Sequence, residues 1–370
     1  MTGPTVAVLG GGQLGRMLAL AGYPLGLRFR FLDPSPGGPA AQVAEQITAA
    51  YDDPAALERL ADGAAVVTYE FENVPVDAAR MLERHAPVFP PPRALETAQD
   101  RLSEKTLFDR LGIPTPAFVP VDSEEDLRAG LGRTGFPAVL KTRRMGYDGK
   151  GQMVLREPAD VPVAWRALSD GAPLILESFV PFNREVSIIA VRSRTGEEVF
   201  YPIVQNRHEG GILRESLAPA PGPTTPAVQA QAEEYARRVL EATSYVGVLA
   251  IEFFEVGGRL VANEMAPRVH NSGHWTIEGA QTSQFENHLR AVLGLPLGSA
   301  APVGVSAMLN LIGEAPPLAA MLAIPGAHVH LYGKSARPAR KIGHLTILAP
   351  DEQAIIPSLS RAREVVRNSG

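Results

Sequence analysis

None of the 370 residues is cysteine, which removes disulfides, thiolate nucleophiles and cysteine-based zinc or iron–sulfur sites, and fits a reducing interior. An excess of basic charge is also lacking. The formal net charge is −5 and the pI near 6.0, so no overall field exists to hold a polyanion and nucleic acid is not an expected partner. No apolar run approaches the ~18 residues of a spanning helix, and Met1-Thr2-Gly3-Pro4-Thr5-Val6 enters a strand-like segment without a basic leader. A cytoplasmic protein without a membrane partner is therefore expected. Neither G-x-S-x-G nor H-E-x-x-H occurs, and no internal repeat or low-complexity tract is found. What is present is a globular composition, 45% hydrophobic, long enough for about two to four domains.

Strand and helix patterns alternate at the start. The apolar residues 6–9 run into Gly10-Gly11-Gly12-Gln13-Leu14-Gly15. Helical spacing follows at Met17, Leu18, Leu20 and Ala21, then a second strand over 29–32 closed by Asp33. A further strand over 64–68 leads into Tyr69-Glu70-Phe71-Glu72-Asn73-Val74-Pro75, a helix over 76–84 and a short strand through Val88. A parallel sheet accounts for this order. Gly10, Gly12 and Gly15 spell the dinucleotide fingerprint G-x-G-x-x-G, with Asp33 at roughly its acidic position. The physics beneath that motif is less specific, because a helix N-terminus attracts any phosphate or carboxylate. An anion site, a tight turn and an NAD site remain open here, in that order.

Residues 97–111 read as one helix, with Leu102, Leu107, Phe108 and Leu111 as its apolar stripe, ended by Gly112-Ile113-Pro114-Thr115-Pro116. A smaller α+β unit follows, with strands over 138–141, 153–155 and 174–177, compact enough to move as a lid. From Glu185 the strands lengthen. A helix over 228–242, a hairpin at Gly257-Gly258, a helix over 283–293 and a mixed segment from Val303 complete the chain.

Three distant stretches point to one ATP–Mg²⁺ site: Lys141 with Gly146-Tyr147-Asp148-Gly149-Lys150-Gly151, the pair Glu177 and Glu185, and Glu252 with Asn263-Glu264. Glycines let backbone N–H groups close over phosphates, lysines match their charge, and carboxylates on strands hold the metal. No Ser or Thr follows Lys150, so the loop is not a Walker A loop. Lys141 ends an apolar strand and needs an anionic partner, for which a nucleotide phosphate is expected. Glu252 interrupts another apolar strand. A bulge or an odd-length turn would put Glu252 and Glu264 on one face, and that register is predicted; a plain two-residue turn would face Glu252 with Asn263. The bland reading is a glutamate paired with an arginine such as Arg268.

Together with Gly10 to Met17, Tyr69 to Pro75, Asn263 to Thr276, and Lys334 with Arg340-Lys341-Ile342-Gly343-His344, these motifs resemble the ATP-grasp ligases, specifically the 5-(carboxyamino)imidazole ribonucleotide synthase family of purine biosynthesis. The resemblance runs nearly the whole chain. It implies an α/β and α+β ATP-grasp fold: an N-terminal Rossmann-like domain (1–112), a lid (113–182), a central domain (183–302) and a small mixed C-terminal domain (303–370). It implies ATP and Mg²⁺ as cofactors, aminoimidazole ribonucleotide and bicarbonate as substrates, and a homodimer. A formate-dependent glycinamide ribonucleotide transformylase is the alternative within the superfamily; an NAD-dependent oxidoreductase and a noncatalytic nucleotide sensor are the others.

Residue by residue, the resemblance gives nucleotide contacts to Arg101, Lys105, Lys141, Gly146, Tyr147, Asp148, Gly149, Lys150, Gly151, Gln152, Glu177, Ser178, Phe179, Val180, Glu185, His208, Asn263 and Glu264. The backbone of 177–180 is expected at the adenine edge and Glu185 at the ribose. Glu252 and Glu264 match the metal ligands. Arg268, His270, Asn271, His274 and Asp148 form the expected catalytic group. Gln13, Leu14, Glu72, Tyr147, Asp148, Lys334, Arg340 and Lys341 are expected on the ribonucleotide, with the basic cluster at its 5′-phosphate. His270 and His274 are assigned hydrogen bonds rather than metal, and His85 and His288 structural or exposed places.

Overall fold

The computed structural model describes residues 3–146, 149–223 and 225–367. Thr5–Leu9 (β1), Arg28–Asp33 (β2), Glu45–Thr48 (β3) and Ala64–Tyr69 (β4) form a parallel sheet in the order β3-β2-β1-β4. β1 is buried at every position, as a strand covered on both faces must be. β3 has no counterpart in the sequence reading, because Glu-Gln-Ile-Thr buries only Ile47 and carries too little apolar pattern to be seen.

The helix expected over 97–111 is two helices, Pro92–Ala98 and Arg101–Arg110. Asp100 separates them. Its carboxylate accepts the N–H groups of Leu102 (2.9 Å) and Ser103 (3.3 Å) and so begins a new helix, with Arg101 in its first turn.

Phe118–Val121 (β5), Ala138–Thr142 (β6), Gln152–Leu155 (β7) and Leu174–Ser178 (β8) form an antiparallel sheet ordered β5-β8-β6-β7. The helices Glu124–Thr134 and Val161–Leu168 pack against it over a separate small core that includes Leu127, Leu140, Ala164 and Leu176.

The third sheet contains Arg184–Arg192 (β9), Glu198–Phe200 (β10), Val204–Glu209 (β11), Ile212–Ala218 (β12), Gly247–Val256 (β13), Arg259–Ala266 (β14), Val305–Ile312 (β15), Ala327–Leu331 (β16) and Lys341–Ala349 (β17). Its order is β14-β13-β9-β11-β12-β15-β17-β16, with β10 on β9. β15 to β17 thus extend the sheet begun by β9. Gln284–Leu293 joins the first sheet to the third: His288 Nε2 lies 2.8 Å from Thr68 Oγ1, and its Nδ1 accepts the Val248 N–H at 3.1 Å. His288 is structural, as expected.

The β13–β14 hairpin turns on Gly257 and Gly258, both with positive φ (57° and 78°), which a two-residue turn of this hand requires. A bulge between Glu252 and Phe253 then shifts the register. Phe253 faces Ala262, Glu252 faces Glu264, and Asn263 is the extra residue. The turn has two residues and the bulge still brings the glutamates opposite one another, the register predicted from sequence.

Candidate active site

Two clefts meet at one wall. The first, about 290 Å³, lies between the β5–β8 sheet and the third sheet; the second, about 650 Å³, lies between the third sheet, the N-terminal loops and the segment after β16. Arg101, Lys150, Glu252, Glu264, His270, Asn271 and Lys341 border both.

In the first cleft, Lys141 Nζ reaches Glu177 Oε2 at 2.9 Å, and Lys105 Nζ lies 3.5 Å from the same oxygen. The anionic partner expected for Lys141 is therefore supplied within the protein. Burial opposes a charge on Glu177, but Lys105 and Lys141 outweigh it and hold its pKa down to about 2. Lys105, expected on phosphate, is fully buried and donates to the carbonyls of Ala262 (3.2 Å) and Asn263 (2.6 Å), so it does not face the cleft. Arg101 binds Glu264 Oε2 at 2.8 Å, so of the two facing glutamates it is Glu264 that pairs with an arginine, and that arginine is Arg101 and not Arg268.

Glu185 Oε2 lies 2.9 Å from His208 Nδ1. Burial disfavours a charged His208, yet the Glu185 hydrogen bond and the nearby Glu252 and Glu264 prevail and raise its pKa to about 8. Burial raises the Glu252 pKa, with Glu264 and Glu185 adding to it, while burial of Glu264 is overcome by Arg101, which lowers its pKa. Asn263 Oδ1 is buried without a hydrogen-bond partner beside the two carboxylates. Two facing carboxylates and an orphaned amide oxygen suit a hard divalent cation. Among the described residues no cluster of three acidic, histidine or cysteine side chains forms a complete metal site, so ligand oxygens would have to complete the shell.

The apolar walls of this cleft include Val139, Val154, Phe179, Phe182 and Phe254, with Phe182 stacked on Phe254 at 4.8 Å. Phe182 and Phe254 were missed by motif reading, since only their alternation in strand and loop marks them. The Ser178 and Phe179 N–H groups bond the carbonyls of Ala117 (2.8 Å) and Pro137 (3.2 Å), so neither is available to an adenine edge. Ser178 Oγ also accepts the Ala117 N–H at 3.0 Å, and Val180 is half-buried nearby. Gly146, Gly149, Lys150 and Gln152 lie along the clefts. Gly151, at φ +70°, passes so close to Thr142 that a Cβ would lie 2.5 Å from its Oγ1. Tyr147 and Asp148 fall outside the described residues.

The second cleft collects Gln13, Leu14, Glu72, Lys334, Arg340 and Lys341, the residues named for the ribonucleotide, together with Arg268 from the catalytic group. Arg268 pairs with Glu72, while its Nε stays buried without a partner. Lys334 donates to Gln13 Oε1, and Arg340 to Ser335 Oγ at 2.9 Å. Tyr332, buried beneath them, was not foreseen. His270 Nε2 lies 3.5 Å from Glu252 Oε1, and burial with Arg268 nearby keeps the ring neutral. Asn271, expected to stabilise an anion, has its amide engaged both ways with Asn310, at 3.0 and 2.8 Å. His274 does not reach the wall. It is buried between Phe285 and His344, so its expected place in the catalytic group is corrected to a place in the core.

The glycine loop holds the protein's own carboxylates. Gly12, Leu14 and Gly15 donate N–H groups to Glu70 at 2.9, 3.1 and 3.1 Å, and Gly11 donates to Asp33 at 2.8 Å. A Cβ at Gly10 or Gly12 would lie 2.7 Å from Glu70 Oε1, which explains the glycines without a dinucleotide. The donors expected for a ligand anion are thus filled internally. Glu70, inside a motif singled out from sequence, was not assigned this part.

Residues 106–285 match the ATP-grasp domain, 3–99 the ribonucleotide synthetase preATP-grasp domain, and 306–357 the phosphoribosylaminoimidazole carboxylase C-terminal domain. The N5-carboxyaminoimidazole ribonucleotide synthase of Pseudomonas aeruginosa is 55% identical over 361 residues, 98% of this chain and 99% of that protein. The chain belongs to the N5-carboxyaminoimidazole ribonucleotide synthase family of ATP-grasp ligases. Within that family, the Thermus thermophilus crystal structure has a TM-score of 0.93 and 62% identity, covering 97% of this chain and 98% of that one. An Aspergillus clavatus family member in complex with ADP and 5-aminoimidazole ribonucleotide has a TM-score of 0.90 and 33% identity, covering 98% and 100%. Among the described residues no helix is long and apolar enough to cross a membrane.

Proposed function

We propose that the chain carboxylates 5-aminoimidazole ribonucleotide with ATP and bicarbonate, in de novo purine biosynthesis. Bicarbonate takes the terminal phosphoryl group to give carboxyphosphate and ADP. The exocyclic amine then attacks the carboxyl carbon, directly or as released CO₂, phosphate leaves, the amine loses a proton, and 5-carboxyaminoimidazole ribonucleotide results.

The observation that carries this reading is the shared wall: a slot with aromatic sides and a basic, polar cleft open onto the same facing carboxylates, Glu252 and Glu264. ATP would lie in the slot, with Glu185 and His208 at one end and Lys150 and Arg101 toward its phosphates. Glu252 and Glu264, with Asn263 Oδ1, would hold Mg²⁺, which neutralises phosphate charge during transfer. Arg268 and the neutral His270 border the second cleft, where an anionic intermediate would form. Lys334, Arg340 and Lys341 would take the 5′-phosphate, with Gln13, Leu14 and Glu72 about the rest of the ribonucleotide. The lid sheet, closed, would keep water from the intermediate. Units 1–112, 113–182, 183–302 and 303–370, a homodimer and a cytoplasmic location complete the proposal.

ADP release tests it. With aminoimidazole ribonucleotide it should require bicarbonate, and formate with glycinamide ribonucleotide should not replace them. Equal release on the formate pair would overturn the assignment.

A further inference from the structure

The bulge of β14 is gripped from outside its sheet. Arg101, Glu104 and Lys105 share the first turns of the helix Arg101–Arg110. Glu104 accepts the Met265 N–H at 2.6 Å, Lys105 donates to the Ala262 and Asn263 carbonyls at 3.2 and 2.6 Å, and Arg101 binds the Glu264 carboxylate at 2.8 Å. Every residue from 262 to 265 is thus held by one helix end. A bulge leaves its extra residue outside the regular ladder, and here that residue is Asn263, whose carbonyl Lys105 takes. Glu104 and Lys105 are 2% and 0% exposed, so their hold on these groups is screened from water.

We propose that Glu104 and Lys105 are positioning residues: they fix the β14 bulge and thereby aim Glu264 at Glu252, without touching the nucleotide. Arg101 acts on the same carboxylate directly. The inference rests on the proposed role of Glu252 and Glu264 at the cation. It assigns the junction helix a part in metal affinity, beyond tying the N-terminal unit to the third sheet.

The test uses the full-length enzyme, with ADP release measured against Mg²⁺ concentration at saturating ATP and thermal melting measured alongside. Glu104→Leu and Lys105→Met should each raise the Mg²⁺ needed for half-maximal rate about tenfold, the size expected for a lost buried hydrogen bond. Glu104→Gln keeps an oxygen that can accept the Met265 N–H and should stay within about threefold. Should Glu104→Leu not fold, Glu104→Asp, too short to reach Met265, must show the same Mg²⁺ shift. Lower melting with an unaltered Mg²⁺ dependence in the Leu, Asp and Met variants would overturn the inference and leave the cation reading standing. A Glu264→Gln enzyme that kept normal Mg²⁺-dependent turnover would instead overturn the cation reading itself.

Discussion

His208 is charged near neutrality because Glu185 holds it, and this ties part of the stability to pH. Its folded pKa of about 8 lies above the unfolded value, so the contribution is complete below pH ~6.5 and disappears as pH rises through the folded value. From the shift, about 1–2 kcal/mol is at stake. Urea midpoints at pH 6 and pH 9 should therefore fall more in the wild type than in His208→Gln; parallel falls would refute the pairing. Glu252→Gln and Glu264→Gln should each lower Mg²⁺-dependent ATP turnover by about a hundredfold or more, with melting little changed, since each removes a charge aimed at phosphoryl transfer. Both glutamates were legible in sequence, because a carboxylate inside an apolar strand needs a reason. Glu70 and Asn310 were not: one fills donors and the other an amide that sequence leaves looking open.

At the scale of elements, Asp100 joins two pieces. It starts the helix Arg101–Arg110, ion-pairs Arg143 at 2.8 Å and Arg144 at 3.4 Å, and so ties the chain entering the 146–151 glycine segment, here called the flap, to that helix. Asp100→Ala should cost about 1–2 kcal/mol from the lost cap alone. It should also raise the KM for ATP and quicken proteolysis near the flap; unchanged cleavage would show that the ion pairs do not restrain it. Helix and strand types were readable from periodicity, while the helix break at Asp100 was missed because the apolar stripe, Leu102 to Leu111, lies wholly beyond it and says nothing of where its helix begins. The bulge was foreseen as a condition for the glutamates to meet, but its clamp lies some 160 residues away in sequence, as the Glu104–Met265 hydrogen bond shows. Pattern within a strand carries no trace of such a partner.

Over the whole molecule, the ATP-grasp architecture places the β5–β8 sheet and the third sheet on either side of one slot, and the N-terminal sheet and β17 on either side of the second cleft. The G-x-G-x-x-G loop stands at that second cleft. It holds Gln13 toward Lys334, while its own donors bind Glu70 and Asp33. Long-range closure of this kind decides which motif matches carry a ligand, and no local spacing reports it. The most direct measurement is a crystal structure with a nonhydrolysable ATP analogue, Mg²⁺ and aminoimidazole ribonucleotide. The terminal phosphate should lie against Glu252 and Glu264, with the ribonucleotide 5′-phosphate beside Lys334 and Arg340. A nucleotide bound on the glycine loop at Gly10–Gly15, or a metal away from both glutamates, would contradict the account.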